Sequence, residues 1–176
     1  MPKVIENLRE NIIKCARRQL LERGYRELSI RGIAKECKIA VGTVYNYFAS
    51  KEVLAAFVML SDWLVELEDM RRGCEEAASV AGALTAIYGG ITRFSGVYRS
   101  VWANYTFSDS AKSDYGDRHN LLVRQIADCL GPVVKKYHPD ADEGTDIFLA
   151  ENMLVCTGNS AMTLGTLLSI VRRILP

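Results

Sequence analysis

Apolar residues recur at helical spacing from the start of the chain. Ile5, Leu8, Ile12, Ala16 and Leu20 form one stripe, with Arg9, Lys14, Arg17 and Arg18 off it. Gly24 is placed to end this first helix. Ser29 offers a hydroxyl cap for a short second helix that closes near Cys37. After a break at 38–40 a third short helix is predicted from Val41 to Phe48, and Ser50 caps a long fourth one reaching about Arg72. Gly73 to Ser79 reads as a connection. Helical periodicity returns from Val80 to Phe107 with an interruption near Gly96, and residues 108–114 read as a polar loop or helix start. A helix from Asp117 to Tyr137 is expected to kink or break before Pro132. After a turn at 138–142, Thr145 to Ile174 is helical, as one element or as two divided near Gly158-Asn159. No strand alternation and no internal repeat interrupts this pattern, so the fold class is all-α.

Composition narrows the class. Hydrophobic residues make up 49% of the 176, enough for a sizeable core, and a 24% charged fraction argues against disorder. No apolar run reaches the ~18 residues of a membrane span, and the first residues lack a signal-peptide pattern, so a soluble chain with no membrane partner and a cytoplasmic location is expected. The five cysteines are scattered without a CxxC pair, which reads as reduced, packed thiols, with a redox or metal sensor as the other reading.

Charge becomes informative once divided. Residues 1–51 carry eleven Lys/Arg against five Glu, a net of +6, while residues 52–176 carry eleven against sixteen, a net of −5. A basic head and an acidic body suit a chain that grips a polyanion with one end only. The division expected is a three-helix polyanion-binding head in residues 1–50 and a helical body in 51–176.

The stretch from Leu28 to Leu54 carries the chemistry. Two short helices joined by a tight turn are a helix-turn-helix layout, whose second helix enters the major groove. At ~100° per residue, Val44 and Phe48 share the core face of the third helix. Gly42, Thr43 and Asn46 cluster opposite, and Tyr45 and Tyr47 flank the core stripe. Such rings rest on the scaffold and send hydroxyls outward to phosphates, while small Gly42 and Thr43 let backbone N–H groups approach an anion. Lys51 adds a charge on the same side.

These residues resemble the DNA-binding domain of the tetracycline-repressor (TetR) family. The likeness runs through Gly24-Tyr25, Ser29-Ile30-Arg31, Ile33-Ala34 and Gly42 to Leu54, within residues 10 to 58. It implies that Arg31 reaches bases or phosphates, and that Ser29 lies near a phosphate. Thr43 and the Asn46 side face the groove, and Tyr45, Tyr47 and Lys51 grip the backbone. Two positions depart from the family pattern. Lys38 stands where glycine is common in the turn, at a cost of roughly 1 kcal/mol if its backbone is left-handed. Ala40 stands where a serine usually opens the third helix, a missing cap worth about 1 kcal/mol.

In the body, Phe94, Tyr98, Trp102 and Tyr105 fall on one helical face, extended by Ile87 and Ile91. That stripe reads as core or as the wall of a pocket; the resemblance favours a pocket for a small apolar or aromatic effector. The last segment is rich in apolar residues, including Phe148, Met153, Leu164 and Leu168, with small ones such as Ala161. It suits a two-fold dimer interface or an internal core helix. The expectation is a homodimeric repressor of a palindromic operator, in which an effector shifts the helix joining body to head and releases DNA. A transcriptional activator and a helical protein-binding adaptor are the alternatives. No HExxH, GxSxG, P-loop or paired-cysteine motif occurs, so neither enzyme activity, nor a metal, nor a cofactor is expected.

Overall fold

Ile12, Ala16 and Leu20 are fully buried on the first helix, α1 (Leu8–Glu27), of the computed structural model, which describes residues 7–103, 115–158 and 162–175. Ile5 lies outside them. Gly24 leaves helical geometry at φ 80°, so the regular part of α1 ends where the glycine was expected to end it and one further turn follows. Then come α2 (Ile30–Glu36), α3 (Val41–Tyr47), α4 (Lys51–Glu75), α5 (Val80–Ala103), α6 (Tyr115–Tyr137), α7 (Thr145–Gly158) and α8 (Leu164–Ile174). Every regular element among the described residues is a helix.

The chain gathers into two units, Met1–Trp63 with Val97–Thr106, and Leu64–Gly96 with Phe107–Pro176. In the first unit the core joins Ile12, Ala16 and Leu20 to Ile30, Ile33 and Ala34 of α2, Val44 of α3, Phe48, and Leu54, Ala55 and Val58 of α4. The Phe48 and Phe57 rings meet edge to face at 5.4 Å, and the Arg9 guanidinium lies over both, 5.5 and 4.8 Å from their centroids.

In the second unit α4 and α5 cross closely. A Cβ at Gly73 would stand 2.7 Å from the Ala86 Cβ, and one at Gly90 would stand 2.4 Å from the Met70 Cγ. Gly73 was expected in a connection. It lies inside α4 instead, because the crossing needs a residue without a side chain. The interruption expected near Gly96 is absent too. α5 runs through it, since a helical glycine costs only about 1 kcal/mol against alanine and Ile91, Tyr98 and Val101 are buried around it in sequence. Nor does α6 break at Pro132: the proline is exposed and the buried Leu130, Val133 and Val134 hold its turn in place. α6 packs on α7, where the His119 ring nitrogen and the Glu151 carboxylate share a 2.8 Å hydrogen bond. The last segment is two helices. Thr163 caps α8, its hydroxyl accepting from the Thr166 N–H at 3.2 Å.

Candidate nucleic-acid interface

Four local devices position α3. The first is the cap of α2, where the Ser29 hydroxyl accepts from the Gly32 N–H at 3.1 Å. Beneath it the buried Gln19 amide oxygen accepts the Ser29 N–H at 3.3 Å, tying α2 to α1. The second device is the turn. Lys38 is left-handed at φ 58°, its N–H bonds back to Lys35, and the Ile39 N–H reaches the Ala34 carbonyl at 2.9 Å. Those two reversed bonds make a Schellman cap, so Lys38 occupies the conformation that favours glycine. Third, α3 opens at Ala40 without a side-chain cap, and the Thr43 N–H bonds back to the Ala40 carbonyl at 3.0 Å.

The fourth device clasps the end of α1 to the start of α4. Lys51 Nζ donates to the Arg26 carbonyl at 3.0 Å and sits 4.6 Å from the centre of the Tyr25 ring. The Tyr25 hydroxyl donates to Glu52 at 2.8 Å, and the Ser50 hydroxyl caps α4 through the Val53 N–H. Hydrogen bonds from the Ser50 side chain, its own backbone N–H and Tyr25 hold the Glu52 carboxyl below the usual glutamate range.

With these anchors set, α3 turns one residue inward and the rest outward. Val44 is sealed, followed by Phe48 at the helix end. Gly42 and Asn46 are exposed, Thr43 is half-buried, and Tyr45 and Tyr47 are 50% and 44% exposed. A Cβ at Gly42 would meet nothing within 4 Å, so no packing inside the protomer calls for glycine there. Arg31 projects from α2 as an exposed side chain and Ser29 is exposed beside it. Of the eight residues singled out from sequence for this surface, Lys51 differs most from a free surface charge, being half-buried and tethered at its ammonium.

Residues 12–57 match the model of the bacterial regulatory proteins of the tetR family. That match is confined to α1, α2, α3 and the start of α4. The chain is 39% identical over 54 residues to the HTH-type transcriptional regulator UidR of Escherichia coli (strain K12), a stretch that is 31% of this chain and 28% of that one. The chain thus spans under a third of the length of that curated relative. Beyond the head the likeness is one of fold. A TetR-family transcriptional regulator from Rhodococcus sp. superposes with a TM-score of 0.61 over 98% of this chain and 100% of its own at 15% identity. The regulator FadR of Bacillus subtilis, solved with stearoyl-CoA, gives 0.57 over 95% and 97% at 17% identity.

Sequence reasoning missed a partly buried link in the first unit. The Tyr98 hydroxyl donates to Asp62 Oδ2 at 2.7 Å, and Arg17 of α1 reaches both oxygens of the same carboxylate through its Nε, at 2.9 and 2.7 Å. Tyr98 is wholly buried; burial, reinforced by Asp62, pushes its phenol up and keeps it a donor. Its hydroxyl is therefore spent on the fold. Phe94, its neighbour on the expected pocket face, is half-buried in the second unit, while the Trp102 side chain and Tyr105 lie outside the described residues.

Among the interface candidates of the last segment, Phe148 is 48% exposed, and Leu164 and Leu168 are half-buried. Met153 is sealed inside its own protomer and so stands off any exposed face; Ala161 lies outside the described residues. Ile147, Val155, Ile170 and Ile174 are the exposed apolar positions alongside Phe148 on α7 and α8. Their helical register carries that signal: each falls between buried residues rather than on the buried stripe.

Proposed function

We propose that this chain is a sequence-specific DNA-binding transcriptional regulator that acts as a homodimer and presents α3 to the major groove. The observation that carries the reading is the allocation of residues on α3. Two tyrosines, an asparagine and a glycine without a packing role stand in solvent on a helix fixed from four directions. A helix kept only for stability would not hold exposed rings there or pay for a glycine that packs against nothing. In this reading Gly42, Thr43 and Asn46 meet base edges, Tyr45 and Tyr47 meet phosphates, and Arg31 and Ser29 reach the backbone from α2. Lys51 acts mainly as the clasp that sets the angle of α3, its charge lying close to the same backbone.

The partner copy is proposed to pack on the α7–α8 face around Phe148, Leu164, Leu168, Ile147 and Ile170. Two heads then bind half-sites about 34–36 Å apart or at a multiple of that spacing. A small apolar or aromatic effector is proposed to bind the chain and release DNA. Repression by a cytoplasmic dimer follows as the regulatory mode.

The test is a fluorescence-anisotropy titration of the full chain against duplex DNA at several salt concentrations. Log K falling linearly with log[salt] at a slope of about −5 or steeper, as for several neutralised phosphates, supports the reading. An adaptor that binds protein gives no duplex binding at low salt.

A further inference from the structure

Cys15 on α1 and Cys37 at the end of α2 are 22 residues apart, yet their sulfurs stand 3.4 Å apart, Cys37 donating its S–H to Cys15. Both are half-buried, whereas Cys74, Cys129 and Cys156 are buried, so this pair holds the more accessible thiols. Glu36 is ion-paired to Arg18, and Cys15 and Arg18 hold its carboxyl below the usual glutamate range. We propose that Cys15 and Cys37 form a hydroperoxide-responsive dithiol site in the head, whose disulfide disturbs the turn leading into α3 and weakens DNA binding.

Chemistry at the two sulfurs is asymmetric. Burial, then Glu36 and Cys37, pushes the Cys15 thiol up to about 12, so it stays protonated at neutral pH and is the poorer first nucleophile. Cys37 therefore meets the oxidant. Its sulfur attacks the hydroperoxide O–O bond; the S–O bond forms, the O–O bond breaks, and the departing oxygen takes up the Cys37 S–H proton and leaves as water or alcohol. Cys37 is now a sulfenic acid, oxidised by two electrons, and the peroxide is reduced by two. Cys15 then attacks that sulfur. The S–S bond forms, the S–O bond breaks, and hydroxide departs as water with the Cys15 proton, for which the Glu36 carboxylate beside it is the relay.

Geometry gives the bond a consequence. A disulfide needs about 2.05 Å between sulfurs, so the pair must close by roughly 1.4 Å from its present 3.4 Å. α1 cannot supply that movement readily, because Ile12 and Ala16 beside Cys15 are fully buried. Cys37 is the capping residue of α2, and Lys38 and Ile39 behind it form the Schellman turn. Closure pulls on that turn and through it on Ala40 and α3. The effect on DNA rests on the function proposed above; formation of the bond does not.

The experiment treats reduced full-length protein with a few equivalents of hydrogen peroxide, followed by intact mass, alkylation and peptide mapping. The expected result is loss of two hydrogens and two thiols, with the Cys15 and Cys37 peptides joined. In Cys15→Ser the reaction stops at a Cys37 sulfenic acid that dimedone traps. Amide exchange at residues 38–41 rises on oxidation. Affinity for duplex DNA drops about tenfold or more, returns with dithiothreitol, and is insensitive to peroxide in Cys37→Ser. A disulfide between other cysteines, or Cys15 and Cys37 both remaining alkylable, overturns the site. A formed bond with unchanged exchange and unchanged DNA affinity overturns the switch. Reduced protein that ignores duplex DNA overturns the proposed function and the switch together, and the mass result still decides the dithiol site.

Discussion

Replacing Tyr98 by phenylalanine removes one oxygen from a fully buried site and leaves the ring in place. The lost bond is 2.7 Å long and ends on the Asp62 carboxylate, which Arg17 still holds. A hydrogen bond to a charged group is worth about 1.5–3 kcal/mol. The Asp62 side chain keeps 20% of its exposure and recovers part of that from water, so the expected loss is near the lower end, about 1.5 kcal/mol. Arg17→Met should cost less, about 0.5–1 kcal/mol, because the guanidinium is 48% exposed and the pair is screened. Asp62→Ala should cost most, about 2–3 kcal/mol, since it removes the acceptor that Tyr98 and Arg17 share. Urea unfolding followed by circular dichroism reads all three, with the slope of the transition checked for constancy. The ranking Asp62→Ala over Tyr98→Phe over Arg17→Met is the content of the prediction. A neutral Tyr98→Phe, or an Arg17→Met worse than Asp62→Ala, would show that this carboxylate does not organise the first unit.

Further outcomes follow from single positions. Gly73→Ala should destabilise by about 1–3 kcal/mol through the overpacked α4–α5 crossing, whereas Gly96→Ala, open on every side, should stabilise by about 0.5–1 kcal/mol; paired thermal melts compare them. Lys38→Gly should stabilise the head by about 0.5–1 kcal/mol by relieving the left-handed turn, read in the same melts. Glu36 and Glu52 are both held below the usual glutamate range, by Cys15 and Arg18 at one and by Ser50, the backbone and Tyr25 at the other. A carboxyl whose folded value is depressed stabilises above its unfolded value and loses that contribution as acid carries the pH down through the folded one. Stability should therefore fall as pH drops below the ordinary glutamate range, and Glu52→Gln should flatten that fall. Tyr47→Phe should weaken binding to all duplexes alike, while Asn46→Ala should cost about 1–3 kcal/mol on the preferred site and relax its sequence; competition titrations separate the two.

Local physics made the head readable and left the body less so. Ser29, Gly24 and the left-handed Lys38 each act within a few residues, so their caps and turn are written in the adjacent chain. The outward face of α3 likewise follows from its own period once Val44 and Phe48 are assigned inward. Gly73 misled because a glycine that admits a crossing helix looks the same in sequence as one that ends a helix; only Ala86, thirteen positions on, tells them apart. Pro132 misled for a related reason, because the burial of Leu130, Val133 and Val134 that outweighs it is tertiary. The pairings Arg17–Asp62–Tyr98 and Cys15–Cys37 join residues that no spacing rule connects. Met153 shows the limit of apolar content as an interface signal: its helix offers both buried and exposed apolar positions, and only the register separates Met153 from Phe148.

Selection of duplexes from a random library by the full chain, repeated with an Asn46→Ala and Thr43→Ala double variant, bears most directly on α3 as the reading element. Enrichment of an inverted repeat, with half-sites one or more helical turns apart and the variant losing its preference while keeping salt-sensitive affinity, is the predicted result. Recovery of no common sequence by the wild-type protein, or the same sequence from both proteins, would contradict it.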